Sequence, residues 1–548
     1  MTNLSRSLIL GCSMLALAGC GPESLGSPGG TGVEVIVNNP SAPPTTPTPT
    51  VTPVVAAGAC PTVTNDGSVT LTDRGTISGP TGSYRVCELP SLISRSVTLE
   101  KKTGLLYALN GRVDVGCDGG PSVPTAGAPY ASTTIGCGTR TADSAVNLTI
   151  DKGVIVFART GQSWIAVNRG NKITANGTAT QPIIFTSQDN VAGLNTDTTP
   201  GGQWGGIVLL GRGRTTDCSL GSVASDTCQR DTEGAVTNAL FGGTDDTYNA
   251  GSMSYVQIRY SGFVLSNNKE LQSLTTGGVG SGTTLNHIQS HRSSDDGAEF
   301  FGGNFNISHY VATAADDDSL DVDTGARVNM QYALLIQAPG EGDALMEIDS
   351  NGFESDTPRT KLAVANFLAV QPNSSANNEG NDKASTLFRG NADVTLVNGA
   401  IISPNNECIS MSSNTSLAQR ATLTVRSLVL QCSATKFIGG GNGVSSSVAG
   451  DGEFVASDVA GFFATGTNNN NDSFVNTLTG GFINGANENA VVTSAFTGLS
   501  SFFTATPTPY RIGAAWAENN AWYTGWTCSS SVANFGSTSL PCTTLPAT

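Results

Sequence analysis

The stretch Thr283–Gly352 reads TTLNHIQSHRSSDDGAEFFGG, NFNISHYVATAADDDSLDVDTG and ARVNMQYALLIQAPGEGDALMEIDSNG, three consecutive segments with related endings. The first two segments also align upstream, at an offset of 22 residues, in three pairs of equivalent positions: Leu285 with Ile307, His287 with His309, and Asp296 with Asp318. A fixed period of roughly 20–50 residues is typical of solenoids, in which stacked repeats supply the core. We therefore interpret the segments as coils of a parallel β-helix rather than leucine-rich repeats, whose regular leucine pattern is not found.

Each segment ends in a short run that alternates with period two, which predicts a strand with one buried face. The sequence thereby predicts three columns: Phe300, Val322 and Ile348 pointing inward, Glu299, Asp321 and Glu347 pointing outward on one side, and Phe301, Asp323 and Asp349 pointing outward on the other. Neighbouring parallel strands lie about 4.8 Å apart, so equivalent carboxylates would repel one another at that spacing. Such an array requires a cation, arginine partners or raised pKa values.

The acidic columns allow three interpretations. The first is a solvated acidic surface. The second is a Ca²⁺ site, because Ca²⁺ accepts 6–8 oxygen ligands in flexible geometry, with the candidate ligands Glu299, Asp321, Asp323, Glu347 and Asp349. The third is a catalytic site on polysaccharide, since carboxyl pairs about 5 Å apart are typical of retaining glycosidases; its candidates are Asp296, Glu299, Asp318 and Asp321 with Arg292 and Arg327.

All three histidines, His287, His291 and His309, lie in the same repeats. Because His287 and His309 occupy equivalent positions, we expect their rings to stack on adjacent coils. A transition-metal pair is the alternative interpretation. Trp164 and Trp204 similarly allow two interpretations, as sugar platforms or as packing residues.

The N-terminus has the features of an export signal: Arg6 supplies positive charge and Leu8–Leu17 is an apolar run too short to span a bilayer. It ends in Leu17-Ala-Gly-Cys20, which resembles the bacterial lipobox and implies cleavage before a lipidated Cys20. Gly21 is not the aspartate associated with inner-membrane retention, so the resemblance favours the outer membrane. Residues 20–58 are rich in Pro, Gly, Ser and Thr, which predicts a disordered tether.

The composition agrees with an exported, turn-rich protein. The 548 residues carry a formal net charge of −16 and include 66 glycines. An acidic surface argues against nucleic acid as a partner. Apart from Cys12 and Cys20, ten cysteines remain, and the closed C-x-x-C spacing of many zinc sites is absent. We expect five sequence-local disulfides: Cys60–Cys87, Cys117–Cys137, Cys218–Cys228, Cys408–Cys432 and Cys528–Cys542.

Several runs resemble a family of bacterial right-handed parallel β-helix surface lipoproteins. They are GNKITANG at 170–177, PIIFTS at 182–187, QWGGIVLLG at 203–211, SSDDGAEFFGG at 293–303 and WYTGWTC at 522–528. The resemblance covers most of 146–528 and implies the fold, a location on the outer membrane, and association with a TonB-dependent receptor. The family has no settled catalytic motif, so the resemblance identifies no active site.

Together, these observations predict an all-β fold, a right-handed parallel β-helix solenoid with capped ends. The predicted organisation is a signal peptide at 1–19, a tether at 20–58, an N-terminal cap region at 59–145, the β-helix at 146–438, and final coils with a C-terminal cap at 439–548. We expect a lipid-anchored protein on the periplasmic or extracellular face of the outer membrane that binds a polysaccharide or another polymer, with Ca²⁺ as the candidate cofactor. The alternatives are a polysaccharide lyase or glycoside hydrolase, and a structural or adhesive surface protein.

Overall fold

The structure is a computed structural model that describes residues 52–64, 67–233, 235, 237–266, 269–350, 354–374, 384–413, 420–441, 444–446, 454–464 and 468–548. The predicted signal peptide, Cys20 and the tether up to residue 51 lie outside the described residues. Among those described, no helix has both the length and the apolar character needed to cross a membrane.

The described chain forms 33 strands and three short α-helices. In chain order the strands are β1 (Thr72–Gly79), β2 (Gly82–Glu88), β3 (Leu92–Ile93), β4 (Val97–Leu99), β5 (Leu105–Leu109), β6 (Arg112–Val115), β7 (Tyr130–Ala131), β8 (Thr139–Arg140), β9 (Asn147–Ile150), β10 (Ile155–Ala158), β11 (Trp164–Val167), β12 (Lys172–Asn176), β13 (Ile183–Ser187), β14 (Gly206–Leu210), β15 (Arg230–Asp231), β16 (Leu240–Phe241), β17 (Gly251–Arg259), β18 (Val264–Ser266), β19 (Lys269–Glu270), β20 (Leu274–Gly277), β21 (Thr284–His291), β22 (Ala298–Phe301), β23 (Asn304–Thr313), β24 (Asp321–Asp323), β25 (Arg327–Ile336), β26 (Met346–Ile348), β27 (Lys361–Val370), β28 (Thr386–Phe388), β29 (Asp393–Ser403), β30 (Ile409–Ser413), β31 (Thr422–Cys432), β32 (Phe437–Gly441) and β33 (Val444–Ser446). The helices are α1 (Gln188–Ala192), α2 (Ala456–Ala464) and α3 (Ala486–Ala490).

Two long sheets, of 15 and 12 strands, are built almost entirely from parallel pairs. In the larger sheet, β12 pairs with the first half of β17 and β13 pairs with its second half. Two separate strands of an early coil therefore correspond to the two halves of one bent strand in the next coil. Each coil therefore has three sides. We call them arm 1 (β4, β9, β12 and the first halves of the long strands from β17), arm 2 (β2, β5, β10, β13 and the second halves) and arm 3 (the strands of the 12-stranded sheet). The predicted parallel β-helix is confirmed.

A single residue in left-handed conformation bends each long strand between arm 1 and arm 2. These residues form a column, which we call the corner column: Tyr255, His287, His309, Tyr332, Asn366, Asn398 and Ser427, all with φ between 50° and 65°. Left-handed backbone is costly for non-glycine residues and persists where the surrounding structure enforces it. The coil therefore requires a left-handed residue at this corner, and the sequence does not signal that requirement with a glycine.

The core fills the space between the three arms. Phe300, Val322 and Ile348 are fully buried in it, as the alternating pattern predicts. Parallel pairing already joins β2 to β5, so coils begin before Val146, within the region that we assigned to an N-terminal cap. All five predicted disulfides are present, with Cα–Cα distances of 4.8–5.7 Å.

The C-terminal segment 468–548, which we call the tail, lies along arm 2 instead of capping the last coil. It starts against β31, where the Asn471 amide donates to the Leu428 carbonyl, and it ends at the first coils, where the Gly104 amide donates to the Thr548 carbonyl. Its side chains cover the outward apolar residues of arm 2, including Leu334 and Leu368. The tail thereby shields from water a hydrophobic surface that runs along the solenoid.

The C-terminal cap expected within 439–548 does not include Trp516, Trp522, Trp526 or the Cys528–Cys542 disulfide. These residues belong to the tail, and the Gln289 side chain bonds both the amide and the carbonyl of Cys528, at 2.7 and 2.9 Å. Helix α2 covers the last coil instead: its Val459 and Phe463 join the core beside β31 and β32. A solenoid needs such a cover because its terminal coil otherwise exposes apolar side chains.

Candidate metal centre

The acidic columns on arm 3 have the register that the sequence predicts. Glu299 lies opposite Asp321, which in turn lies opposite Glu347. Upstream, the Asp318 amide donates to the Asp296 carboxylate at 3.0 Å, so these two aspartates also lie on adjacent coils. The repeat of the sequence therefore places like charges beside one another along the solenoid.

The columns are not an exposed acidic surface, however, because two insertions cover part of arm 3. Glu299 and Asp323 are each only 5% exposed. The insertion between β14 and β17 packs Phe241 against Phe301, with ring centroids 6.0 Å apart, and the insertion between β17 and β20 adds Leu271 to the same apolar cluster. Of the three interpretations of the acidic columns, the solvated acidic surface is therefore wrong for these positions.

The acidic side chains line a cleft of about 270 Å³, which we call the acidic cleft. Among the described residues, Gln272 and Arg389 line it together with ten acids, which come from the repeats, the insertions and the turns between arm 2 and arm 3: Glu233, Glu270, Asp295, Asp296, Glu299, Asp317, Asp318, Asp321, Asp343 and Glu347. Glu233, Glu270 and Asp343 were not among the predicted site residues. They lie outside the aligned strand ends, so the repeat carries no signal for them.

Three groups of carboxylates in this cleft are close enough to share cations. Within each group, one oxygen per residue lies within 4.8 Å of the others: Asp295, Asp296 and Asp317; Asp296, Glu299 and Asp321; Asp317, Asp318 and Asp343. The groups overlap at Asp296 and Asp317. Oxygen atoms at such separations can contact one Ca²⁺ ion together, since Ca²⁺ binds its ligands at about 2.3–2.6 Å.

Burial and mutual repulsion make the charged state of these groups costly. Burial, reinforced by the neighbouring carboxylates, raises the pKa values of Asp295, Asp296, Glu299, Asp318 and Asp321 well above their usual range. Burial and Asp349 raise the pKa of Asp323 to about 7. Without a cation these side chains hold protons that exposed carboxyls release, whereas a bound cation favours the ionised form.

Four of the five predicted metal ligands are divided between two environments, and the fifth, Asp323, does not line the acidic cleft. Glu299 and Asp321 share a group with Asp296, as described above. Glu347 and Asp349 instead form ion pairs with Arg389, whose Nη2 lies 3.2 Å from Asp349 Oδ2. Arg389 thus neutralises one end of the columns, and the groups around Asp296 and Asp317 form the part that suits a cation.

The two arginines proposed for catalysis do not line the cleft. Arg292 Nη1 contacts Glu341 at 3.0 Å, and Arg327 Nη2, at the start of an arm 1 segment, contacts Asp246 at 2.8 Å. Both guanidinium groups are thus engaged in ion pairs. The arrangement does not bring them to the carboxylates with which the catalytic interpretation grouped them.

The histidines stack as predicted, within a run of aromatic rings along the corner column. Tyr255, His287, His309 and Tyr332 lie ring on ring, with successive centroids 4.2, 4.2 and 4.9 Å apart. Burial lowers the pKa of His287 to about 4 and that of His309 to about 3. His291 lies near Cys528 and Cys542, but those sulfur atoms form a disulfide and offer no thiolate. Stacking of neutral rings accounts for the pair without a metal.

The two tryptophans considered as sugar platforms are packing residues. Trp204 is fully buried in the core, and its indole N–H donates to the Arg259 carbonyl at 2.8 Å. Trp164 is 4% exposed, with the Arg112 guanidinium 4.7 Å from its ring centroid. Neither ring presents an open face to a ligand.

Comparison with known proteins supports this architecture. The family model described as pectate-lyase-like β-helix domain matches residues 137–493, more than half of the chain. The chain belongs to this family. The match includes every residue of the acidic cleft, and membership suggests a polysaccharide-related or cell-surface role. No curated protein and no solved structure matches the chain.

Proposed function

We propose that the acidic cleft binds Ca²⁺ and that the bound ions hold a polysaccharide at the cell surface. The observation that carries this proposal is the set of three overlapping carboxylate groups around Asp296 and Asp317, all but Asp317 buried or half-buried, with Arg389 as the single guanidinium among the described residues that line the cleft. Buried carboxylates are costly unless they are paired or bind a cation. A cation of high charge removes both the desolvation cost and the repulsion.

The chemistry of the ligands favours Ca²⁺ over other metals. The three groups contain only carboxylate oxygens and no histidine or cysteine. Oxygen-only ligands are preferred by Ca²⁺ and Mg²⁺, and an irregular arrangement drawn from several turns suits the flexible geometry of Ca²⁺ better than the strict octahedron of Mg²⁺.

The proposal that the ligand is a polysaccharide rests on the cleft being open to solvent. Asp317 is exposed and Asp295 half-buried, so ions held there would keep coordination positions for oxygens from outside the protein. Sugar hydroxyl and carboxylate groups supply such oxygens, and the family supports a polysaccharide-related role. In this proposal Cys20 anchors the chain to the outer membrane through lipid, and a TonB-dependent receptor is the partner that takes up the captured polymer.

Calorimetric titration of Ca²⁺ into residues 53–548 tests the cleft directly. We expect saturable binding that Asp296→Asn/Asp321→Asn weakens at least tenfold, because these residues supply the central group. Asp73→Asn/Glu100→Gln removes two carboxylates whose side chains are 43% and 60% exposed outside the cleft, and should bind Ca²⁺ as the wild type does. Equal binding by all three proteins, or no binding by the wild type, would overturn the proposal.

Glycan binding is then measured on an array of neutral and uronic acid polysaccharides, with Ca²⁺ and with EDTA. Retention of a polysaccharide only with Ca²⁺, and its loss in Asp296→Asn/Asp321→Asn, is the expected result. Calcium binding without any Ca²⁺-dependent glycan would restrict the cleft to a structural metal site.

A polysaccharide-cleaving enzyme is the second candidate, favoured by one observation. Asp296, Glu299 and Asp321 bring three carboxyl groups within 4.8 Å, and the pKa values of all three are raised by burial. Carboxyls with raised pKa values keep their protons to higher pH than ordinary carboxyls and can serve as general acids. Release of reducing ends or of unsaturated sugars from the bound polysaccharide would establish this activity, and intact polysaccharide after prolonged incubation would exclude it for that substrate.

A further inference from the structure

A second cavity, of about 410 Å³, lies where the tail crosses the corner column; we call it the corner cavity. It shares no lining residue with the acidic cleft. Its lining comes from two coils and from the tail: Ser308, His309, Gln331, Tyr332, Phe502, Thr504, Thr506, Pro507, Glu518, Asn519, Ala521 and Trp522. The volume is within the range of small-molecule sites, roughly 300–1,000 Å³.

Aromatic rings form much of this lining. His309 and Tyr332 stack with centroids 4.9 Å apart, and Trp522 lies against both, at 5.2 and 6.2 Å. Phe502 supplies a fourth ring. Both faces of His309 are covered by His287 and Tyr332, so the ring faces that can attract a cation through their partial negative charge belong to Tyr332, Trp522 and Phe502.

The rings are held in place by hydrogen bonds between the coils and the tail and by one bond within the tail. The Tyr332 hydroxyl donates to the Thr506 carbonyl, and the Trp522 indole N–H donates to the Ala514 carbonyl at 3.0 Å. Gln331 bonds both the amide and the carbonyl of Thr504, at 3.1 and 2.7 Å. The cavity is therefore preorganised, which reduces the entropy lost when a ligand binds.

The charge of the lining is negative. Glu518 is exposed and is the only acidic residue among the described residues that line the cavity, and none of those lining residues is a lysine or an arginine. His309 is neutral because burial lowers its pKa to about 3, and its buried Nδ1 has no hydrogen-bond partner among the described residues. An occupant that satisfies both the rings and Glu518 carries positive charge and an apolar surface.

The neighbouring coils show that the tail does not fill this space as it does elsewhere. One coil earlier, Trp526 packs edge-on against Tyr255 and His287, with centroids 5.9 and 5.6 Å apart, and is itself fully buried. At His309 and Tyr332 the equivalent cover, Trp522, is only partly buried and leaves the cavity beside it. The tail therefore packs closely against Tyr255 and His287 but leaves a cavity at His309 and Tyr332.

We propose that the corner cavity binds a small organic ammonium ion, with its N-methyl groups against the aromatic rings and its charge balanced by Glu518. Attraction between a quaternary ammonium and aromatic faces provides selectivity over neutral molecules of the same shape. The site is independent of the acidic cleft, so it functions with or without Ca²⁺.

Calorimetry with matched ligands tests the charge requirement on residues 53–548. Choline is titrated against 3,3-dimethylbutan-1-ol, in which carbon replaces the quaternary nitrogen, and against a methyl glycoside as a sugar probe, each in EDTA. We expect choline to bind at least about fivefold more tightly than its neutral analogue, as a cation–π contribution of about 1 kcal/mol implies. Equal affinity for both, no binding of choline, or binding of the glycoside alone overturns the proposal.

Variants then assign the binding to this cavity. Glu518→Gln should weaken choline binding at least threefold and leave the neutral analogue unchanged, and Phe502→Ala should weaken both. Glu100→Gln removes an exposed carboxylate outside the cavity and serves as the control for net charge. Since Glu518 is exposed, Glu518→Gln should not disturb folding, and near-ultraviolet circular dichroism checks this. Choline binding unchanged in Glu518→Gln would place the ligand elsewhere and refute the assignment.

Discussion

The acidic cleft and the corner column are built by the same coils, but stacking has opposite energetic consequences for their side chains. On arm 3 the repeat places carboxylates beside one another, whereas at the corner it places His287, His309 and their aromatic neighbours ring on ring. Parallel strands impose the same spacing of about 4.8 Å on both columns. Neutral rings gain contact at that spacing, but carboxylates repel, so one column is completed by the protein's own tail and the other suits a cation.

The largest expected effect concerns the cover of the corner. Trp526→Ala should lower the free energy of unfolding by about 3–5 kcal/mol, because a buried aromatic ring that packs on Tyr255 and His287 is replaced by a cavity. Urea unfolding with Ca²⁺ present measures it. Leu194→Ala, at a side chain 67% exposed, is the control and should change stability by less than about 0.5 kcal/mol. A loss for Trp526→Ala no larger than that of the control would show that the tail does not stabilise the corner.

How far the sequence predicts these two regions depends on periodicity. The alignment of Glu299 with Asp321 and of His287 with His309 follows from the repeat itself, so it could be predicted, together with the inward column. The tail could not be predicted: it has no repeat, and its position on arm 2 depends on contacts between residues far apart in sequence, such as Gln289 with Cys528.

The composition of the acidic cleft could be predicted only in part for a similar reason. Asp296 and Asp318 are related by the 22-residue offset, but Glu233 and Glu270 enter from insertions of irregular length. Periodicity also says nothing about what covers an outward side chain. Asp323, which the alternation predicts to point outward, is only 5% exposed and has a pKa raised to about 7.

A smaller effect is expected from the pH dependence of the metal-free protein. Because the folded pKa of Asp323 is about 7 against about 4 for an unfolded aspartate, the folded state binds more protons between these values. In EDTA the free energy of unfolding should therefore fall as pH rises from 5 to 8, with the other raised carboxyls adding to the fall. Urea titrations at each pH measure this, and Asp323→Asn should flatten the profile. Excess Ca²⁺ should reduce the dependence, because the cation replaces the protons. A profile in EDTA that is flat or rises would contradict the raised pKa values.

The smallest expected effect concerns the histidines of the corner column, which should not titrate over the same pH range. His287 and His309 have pKa values lowered to about 4 and 3 by burial, so both rings should stay neutral between pH 8 and pH 5. Because a ring nitrogen that gained a proton would place positive charge within the stack, protonation is opposed by the neighbouring histidine as well as by burial. Histidine ring proton shifts, assigned with His287→Gln and His309→Gln and followed by NMR, should remain constant over this range. A midpoint near 6.5 for either ring would contradict the lowered pKa values; constant shifts would show that the stacked rings stay neutral over a range in which Asp323, on another side of the same coils, exchanges its proton.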